Sequence, residues 1–196
     1  GTGTRQTYSL GDKRFWLRVE PLEHIVRRGG EMVVWEQHLA ALLADLPGNV
    51  KNLAYTAFTE MLNNALDHSS GQNVVMGVHA QGGQLQMLVG DDGEGIFRKI
   101  AKAADLFDPR LAILELAKGK YTTAPVGHSG MGIFVSSRMM DGFAIESCGL
   151  RFDPHEASAP LPVFAWMDAN AQLKPAPAQT VVRMAIALDS TRAGHD

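Results

Sequence analysis

The residues best suited to chemistry lie in one stretch from Thr59 to Ser69, which carries carboxylates and amides among apolar residues. At about 100° per residue, an α-helix over this stretch has an apolar face centred on Phe58. That face holds Ala54, Met61, Leu62, Ala65 and Leu66, and the opposite face holds Glu60, Asn63, Asn64 and Asp67.

Glu60 and Asn64 are four residues apart, so they stack on one side of the helix. An amide oxygen is a hard, uncharged ligand of the kind that Mg²⁺ accepts beside phosphates and waters. A carboxylate can hold and deprotonate an attacking water or hydroxyl. The alternative is an ordinary solvated face of an amphipathic helix.

Two glycine-bearing stretches follow. An alternating run over 84–89 leads into Asp91, Gly93 and Gly95 in a DxGxG pattern, and a GxxGxG pattern comes later at Gly127, Gly130 and Gly132. Glycines let the backbone approach a polyanion, and a helix starting near Gly130 would point its free N–H groups at it. The alternative is a flexible surface loop.

Two common nucleotide motifs are excluded. In a P-loop the first glycine precedes Gly-Lys-Ser/Thr by five residues, but Leu114 stands at that place and Tyr121 follows Gly119-Lys120. In a dinucleotide fingerprint a third glycine would stand at Arg98.

The order of polar-faced helix, DxGxG strand end and GxxGxG loop resembles the ATP-binding domain of the GHKL superfamily. That superfamily includes gyrase, heat-shock chaperones, histidine kinases and mismatch-repair ATPases. The resemblance spans roughly residues 50–186. It implies an α+β fold, a two-layer sandwich in which helices cover one face of a mixed, mostly antiparallel sheet (the Bergerat ATP-binding fold).

The resemblance also implies roles for single residues. Asp91 would accept a hydrogen bond from the exocyclic amine of adenine, Thr180 would help hold the adenine through water, Asn64 would bind Mg²⁺, and Glu60 would be the base. A turn aspartate and a strand threonine are the ordinary alternatives for Asp91 and Thr180, and Asp92 is an equally good turn residue. The remaining expected nucleotide contacts, including those of a basic lid over the phosphates, are Gly93, Gly95, Ile96, Gly127, His128, Ser129, Gly130, Met131 and Gly132.

These three motifs, the polar-faced helix, the DxGxG strand end and the GxxGxG loop, look most like those of bacterial histidine-kinase-like or anti-sigma-kinase-like ATPase domains. We therefore expect a regulatory ATPase or protein kinase that uses ATP and Mg²⁺ to transfer the γ-phosphoryl group to a protein side chain or to water. The alternative is an ATP-gated interaction module without significant turnover, and a degenerate fold without nucleotide is a third possibility. A protein partner and a homodimer are also expected.

Composition narrows the class of protein. The 196 residues are 45% hydrophobic and 20% charged, as in a globular domain. The net charge of −3 gives no electrostatic case for nucleic-acid binding by this piece. No apolar run reaches the roughly 20 residues of a membrane span. The single cysteine, Cys148, is expected as a buried strand residue in a reducing, cytoplasmic environment.

The predicted organisation has three parts. Residues 1–48 form an N-terminal strand and helical extension, residues 49–188 form the ATP-binding domain, and residues 189–196 form a polar tail. Within the first two parts we expect a helix over 31–46, Asn49 as the N-cap of the next helix, and a strand over 163–167.

Overall fold

The computed structural model describes residues 9–10, 13–118, 131–156, 164, 166 and 179–192. Its strands are β1 (Ser9–Leu10), β2 (Lys13–Pro21), β3 (Asn73–Gln81), β4 (Gln84–Asp91), β5 (Gly142–Ser147), β6 (Leu150–Phe152) and β7 (Thr180–Ala187). Its helices are α1 (Leu22–Arg28), α2 (Glu31–Val34), a π-helical turn (Trp35–Leu39), α3 (Gly48–His68), α4 (Ile96–Ala103), α5 (Leu111–Ala117) and α6 (Met131–Met139).

The strands form one sheet in the order β1-β2-β3-β4-β7-β5-β6. Every neighbouring pair in the described part of the chain is antiparallel. The predicted α+β fold is therefore confirmed, with a sheet that is more uniformly antiparallel than expected. Because β2 pairs with β3 along its length, the N-terminal strand extends this same sheet.

Side chains on the central strands alternate between two cores, as the two-residue period of a strand requires. On β4, Leu85, Met87 and Val89 lie in the main core with the helices, whereas Leu88 lies in a smaller cluster on the other face. The helices thus cover one face of the sheet, as predicted.

Helix α3 is the main helix of that layer, and it packs against β4, β7 and α6. Its predicted apolar face packs in the core: Ala54, Phe58, Met61, Leu62 and Ala65 are each less than 5% exposed, and Leu66 is half-buried against them. Opposite them, Glu60 and Asp67 are exposed, and Asn63 and Asn64 are half-buried. The 3.6-residue period therefore separated core from polar face correctly.

The second face of the sheet is covered by aromatic side chains. Trp166 lies over Gly77 on β3, where an added Cβ would come within 2.7 Å of the indole ring. The indole N–H donates to Gln86 Oε1 (2.8 Å), and Phe164 packs beside it. The predicted strand over 163–167 is wrong for the two residues described there, because both lie outside the sheet and cover its face.

The predicted N-cap at Asn49 is also wrong. Helix α3 begins one residue earlier, after Pro47, and no side chain caps it. The Asn49 amide instead donates to the carbonyls of Ser190 (2.6 Å) and Arg192 (3.1 Å), which fastens the C-terminal segment to the start of α3.

Two further predictions need correction. The helix expected over 31–46 is regular only through α2, then widens into the π-helical turn, where His38 stacks on Trp16 (5.4 Å between centroids). Cys148 is half-exposed in the turn between β5 and β6 with a φ of 51°, so it is not a buried strand residue.

Among the helices in the described ranges, none combines the length and the apolar character that crossing a membrane requires.

Candidate functional site

Asp91 is the last residue of β4, and its carboxylate is buried (6% exposed). The one hydrogen bond that this carboxylate accepts from a described residue comes from the Gly93 backbone N–H (3.0 Å). Burial raises the pKa of Asp91 to about 6; the Gly93 N–H opposes this rise, and the charge of Asp92 adds to it. A carboxylate can accept several hydrogen bonds, so Asp91 retains acceptor capacity for a ligand.

Asp92 has a different role from its neighbour. Its Oδ1 accepts hydrogen bonds from the backbone N–H groups of Gln72 (2.7 Å) and Asn73 (2.8 Å), and its Oδ2 accepts one from the Asn73 amide (2.9 Å). Burial alone would raise the pKa of Asp92, but these hydrogen bonds outweigh it and lower the pKa. Asp92 therefore fixes the turn before β3, which leaves Asp91 as the aspartate available to a ligand.

Gly93 and Gly95 are each required by close packing within the protein. A Cβ on Gly93 would overlap the carbonyl of Ser69, at the end of α3. Gly95 has a φ of 91°, and a Cβ there would lie 2.5 Å from the sulfur of Cys148. These contacts hold the DxGxG loop between α3 and the β5–β6 turn.

Thr180 opens β7 and lies opposite Asp91 in the antiparallel register. It is buried (5% exposed), and its hydroxyl accepts a hydrogen bond from the Ile96 N–H (3.1 Å) at the start of α4. Its hydroxyl also lies 3.3 Å from that of Ser147. The structure thus brings the predicted residues Asp91, Thr180 and Ile96 together at one end of the sheet.

The predicted metal ligand and base lie on the polar face of α3. In the described part of the chain, the Asn64 amide nitrogen is buried and has no hydrogen-bond partner. Rotation of an amide by half a turn exchanges its nitrogen and oxygen, so this side chain offers either a donor to phosphate or an oxygen to a cation. Asn64 therefore fits the expected Mg²⁺ ligand. The described residues contain no cluster of three or more His, Cys, Asp or Glu side chains that could hold a metal ion.

Helix α6 meets this polar face. A Cβ on Gly132, the second residue of α6, would overlap the Glu60 carboxylate, so these two predicted residues are in direct contact. Met131 is the first residue of α6. The predicted contacts Gly127, His128, Ser129 and Gly130 lie outside the described residues.

Sequence reasoning missed Lys99. Its ammonium group donates to the carbonyl of His68 at the end of α3 and lies 3.6 Å from Glu94 Oε1. Its charge also lowers the pKa of Asp91, although less than burial raises it. A single lysine in a helix gives no sequence signal for such a contact, because the contact depends on how α4 packs against α3.

Sequence reasoning also missed that the Cys148 thiol lies beside Gly95. Cys148 Sγ lies 3.4 Å from Gln179 Oε1, next to the start of β7. Only the register of β5 with β7 would have revealed this proximity.

Comparison with known proteins agrees with this arrangement. The family described as the histidine kinase-like ATPase domain matches residues 32–151, more than half of the chain. None of the curated proteins compared with the chain is similar enough to be a match. The chain belongs to the histidine kinase-like ATPase domain family and is a GHKL-type ATP-binding domain.

Proposed function

We propose that this ATP-binding domain is Mg²⁺-dependent and belongs to a bacterial regulatory ATPase or protein kinase that transfers the γ-phosphoryl group to a protein side chain or to water. The observation that carries the proposal is the Asp91 carboxylate, which is buried at a strand end and accepts one hydrogen bond from a described residue. Keeping such a group ionised in a buried place is costly. A ligand that donates a hydrogen bond to this carboxylate would stabilise its ionised form.

The adenine end of the proposed site is built by Asp91 and Thr180. The exocyclic amine of adenine would donate to Asp91, whereas guanine would place a carbonyl against the same carboxylate. Thr180 lies across the ladder from Asp91, so its hydroxyl would support a water-mediated contact to the base. This arrangement supports selection of ATP over GTP.

The phosphate end is built by α3 and α6. Asn64 would bind Mg²⁺, which neutralises phosphate charge when it is bound. Glu60 is exposed and lies beside the first turn of α6, so its carboxylate is available to take a proton from an attacking hydroxyl or water. The N–H groups in the first turn of a helix favour a nearby anion, and in the described part of the chain α6 begins at Met131, beside Glu60.

The wider parts of the proposal concern assembly. We propose that a protein partner supplies the phosphoacceptor or is itself regulated, that the chain acts in the cytoplasm, and that it can form a homodimer. We also propose that the chain is organised in three parts: an extension over residues 1–48, the ATP-binding domain over residues 49–188 and a tail over residues 189–196.

Calorimetric titration with ATP, ADP and GTP, each with and without Mg²⁺, tests the ligand. We expect ATP and ADP to bind, Mg²⁺ to strengthen ATP binding, and GTP to bind at least about tenfold more weakly. Absence of ATP binding at millimolar nucleotide would refute the proposal.

The variant Glu60→Ala then distinguishes an enzyme from an ATP-gated interaction module. The proposal expects ATP binding to persist while phosphate release or transfer falls by about 100-fold or more. If wild-type protein binds ATP without turnover, and Glu60→Ala leaves nucleotide-dependent partner binding unchanged, the domain is an ATP-gated interaction module instead.

A further inference from the structure

We propose that Gly132 is a positioning residue for the base: the missing side chain at this position leaves the space in which the Glu60 carboxylate lies. The inference rests on the proposed function of Glu60. It assigns Gly132 a task separate from the close approach of backbone to phosphate that the GxxGxG pattern predicts.

The contact is specific to the carboxyl end of Glu60. A Cβ built on Gly132 would overlap Glu60 Oε2 and would lie 3.3 Å from Cδ and 3.9 Å from Cγ. The three nearest atoms thus all belong to one side chain. An alanine at position 132 would therefore meet the reacting group of the proposed base.

Helix α6 has little freedom to move away from that contact. Ser136, one turn after Gly132 and on the same side of α6, is fully buried. At the other end of the helix, the Arg192 guanidinium donates to the carbonyl of Arg138 (2.8 Å) and pairs with Asp141 (2.9 Å). Because α6 is held in this way, the side chain of Glu60 has to yield.

Glu60 can yield without unfolding the protein. Its side chain is exposed, so turning its carboxylate aside costs little stability. Catalysis is less tolerant, since displacing a catalytic group by about 1 Å can lower a rate by about 100-fold. Gly132→Ala should therefore affect turnover far more than folding.

Two substitutions at position 60 test this coupling. In Glu60→Gln the base is already lost, so adding Gly132→Ala should lower turnover no further. In Glu60→Asp the carboxylate is one methylene shorter and draws back from α6, so adding Gly132→Ala should cost less than it does beside glutamate.

Gly48→Ala is the matched control. Gly48 likewise lies in the first turn of a helix, but a Cβ there would meet nothing within 4 Å. This variant should keep wild-type turnover, ATP affinity and thermal stability.

The experiment measures the ATP dissociation constant by calorimetry, turnover at saturating ATP and thermal unfolding for all these variants. We expect Gly132→Ala to lower turnover about tenfold or more, with ATP affinity within about threefold of wild type and little change in the melting temperature. This pattern marks loss of an interaction made during reaction rather than during binding.

Three results would overturn the inference. They are an equal loss of turnover when Gly132→Ala is added to Glu60→Gln, a loss of ATP affinity greater than about tenfold, and a fold that collapses in Gly132→Ala. Each would assign Gly132 to phosphate binding or to helix packing.

Failure of the proposed function gives a different result. Wild-type protein that does not bind ATP, or binds it without turnover, contradicts that function whatever happens at position 132. Crystal structures of the wild type and of Gly132→Ala then decide the inference without activity. A wild-type carboxylate away from Gly132, or one unmoved in the variant, refutes it.

Discussion

Asp91 and Thr180 are cross-strand partners at the ends of β4 and β7, and both side chains are buried. They differ in what remains available to a ligand. The Thr180 hydroxyl is already engaged by the Ile96 N–H, whereas the Asp91 carboxylate accepts from only Gly93 among the described residues. Of these two side chains, the stronger acceptor is thus the one with fewer hydrogen-bond partners among the described residues.

Asp91→Asn should weaken ATP binding and stabilise the free protein. The asparagine oxygen can still accept from Gly93, but its amide would turn a donor toward the amine of adenine. Losing one charged hydrogen bond should lower ATP affinity about ten- to hundredfold. Because ionised Asp91 is desolvated, removing its charge should add on the order of 2–3 kcal/mol to the free energy of unfolding at pH 7.

Calorimetry and denaturant unfolding of the same samples test both effects. The pKa of Asp91 is about 6 in the folded protein and 3.8 in the unfolded chain. The protonated carboxyl therefore stabilises the folded state, and this contribution is complete below pH 3.8. That contribution is lost as the pH rises to about 6. The stability gain of Asp91→Asn should therefore develop between these two values. An unchanged ATP affinity would exclude Asp91 from the site.

ATP affinity of the wild type should itself depend on pH. The ligand's donor needs the ionised carboxylate, so affinity should fall as the pH drops below about 6, the pKa of Asp91. The limiting slope is tenfold per pH unit. Titrations of Asp91→Asn over the same range provide the control, because protonation of the nucleotide affects both proteins alike. Identical pH profiles for the two proteins would contradict the prediction.

Asp92→Ala should destabilise the protein, whereas Asp91→Asn, at the adjacent position, should stabilise it. The Asp92 carboxylate accepts three hydrogen bonds, from Gln72 and Asn73. Their loss should lower the free energy of unfolding by about 2–3 kcal/mol. Because hydrogen bonding depresses the pKa of Asp92, its stabilising contribution is present above pH 3.8 and is lost as the pH falls through the lower folded pKa.

The pair of variants is informative together. Unfolding by urea should rank Asp91→Asn above wild type and Asp92→Ala below it. If Asp92→Ala were instead as stable as wild type and unable to bind ATP, the two aspartates would have exchanged roles.

The sequence predicted those parts of the site that depend on local periodicity. The polar face of α3 follows from the 3.6-residue period, and Asp91 follows from its spacing to Gly93 and Gly95. The fold class followed from the order of the polar-faced helix, the DxGxG strand end and the GxxGxG loop. These features depend on residues close together in the chain, which is what a pattern records.

The predictions that were wrong depend on distant contacts. Asn49 has the side chain of an N-cap, but its partners lie more than 140 positions away, at Ser190 and Arg192. Trp166 belongs to an apolar run typical of a strand, yet it covers a sheet face that Gly77 leaves open. Neither the partner of Asn49 nor the gap above Gly77 can be recognised before the sheet has been assembled.

Asn64→Ala should remove the response to Mg²⁺ while leaving the fold intact. The buried nitrogen of Asn64 has no partner in the described part of the chain, so truncation removes an unsatisfied group. The free energy of unfolding should be unchanged or slightly higher. ATP should then bind with nearly the same affinity with and without Mg²⁺, because the protein oxygen that recognises the bound ion is gone.

Asn63→Ala is the matched control for this prediction, since Asn63 is the adjacent amide on the same half-buried face of α3. It should keep the wild-type increase in ATP affinity on addition of Mg²⁺. Loss of that increase in Asn63→Ala but not in Asn64→Ala would reassign the ligand to Asn63. Because Glu60 lies one turn from both positions, three residues before Asn63 and four before Asn64, such a reassignment would still leave Glu60 beside the metal as the base.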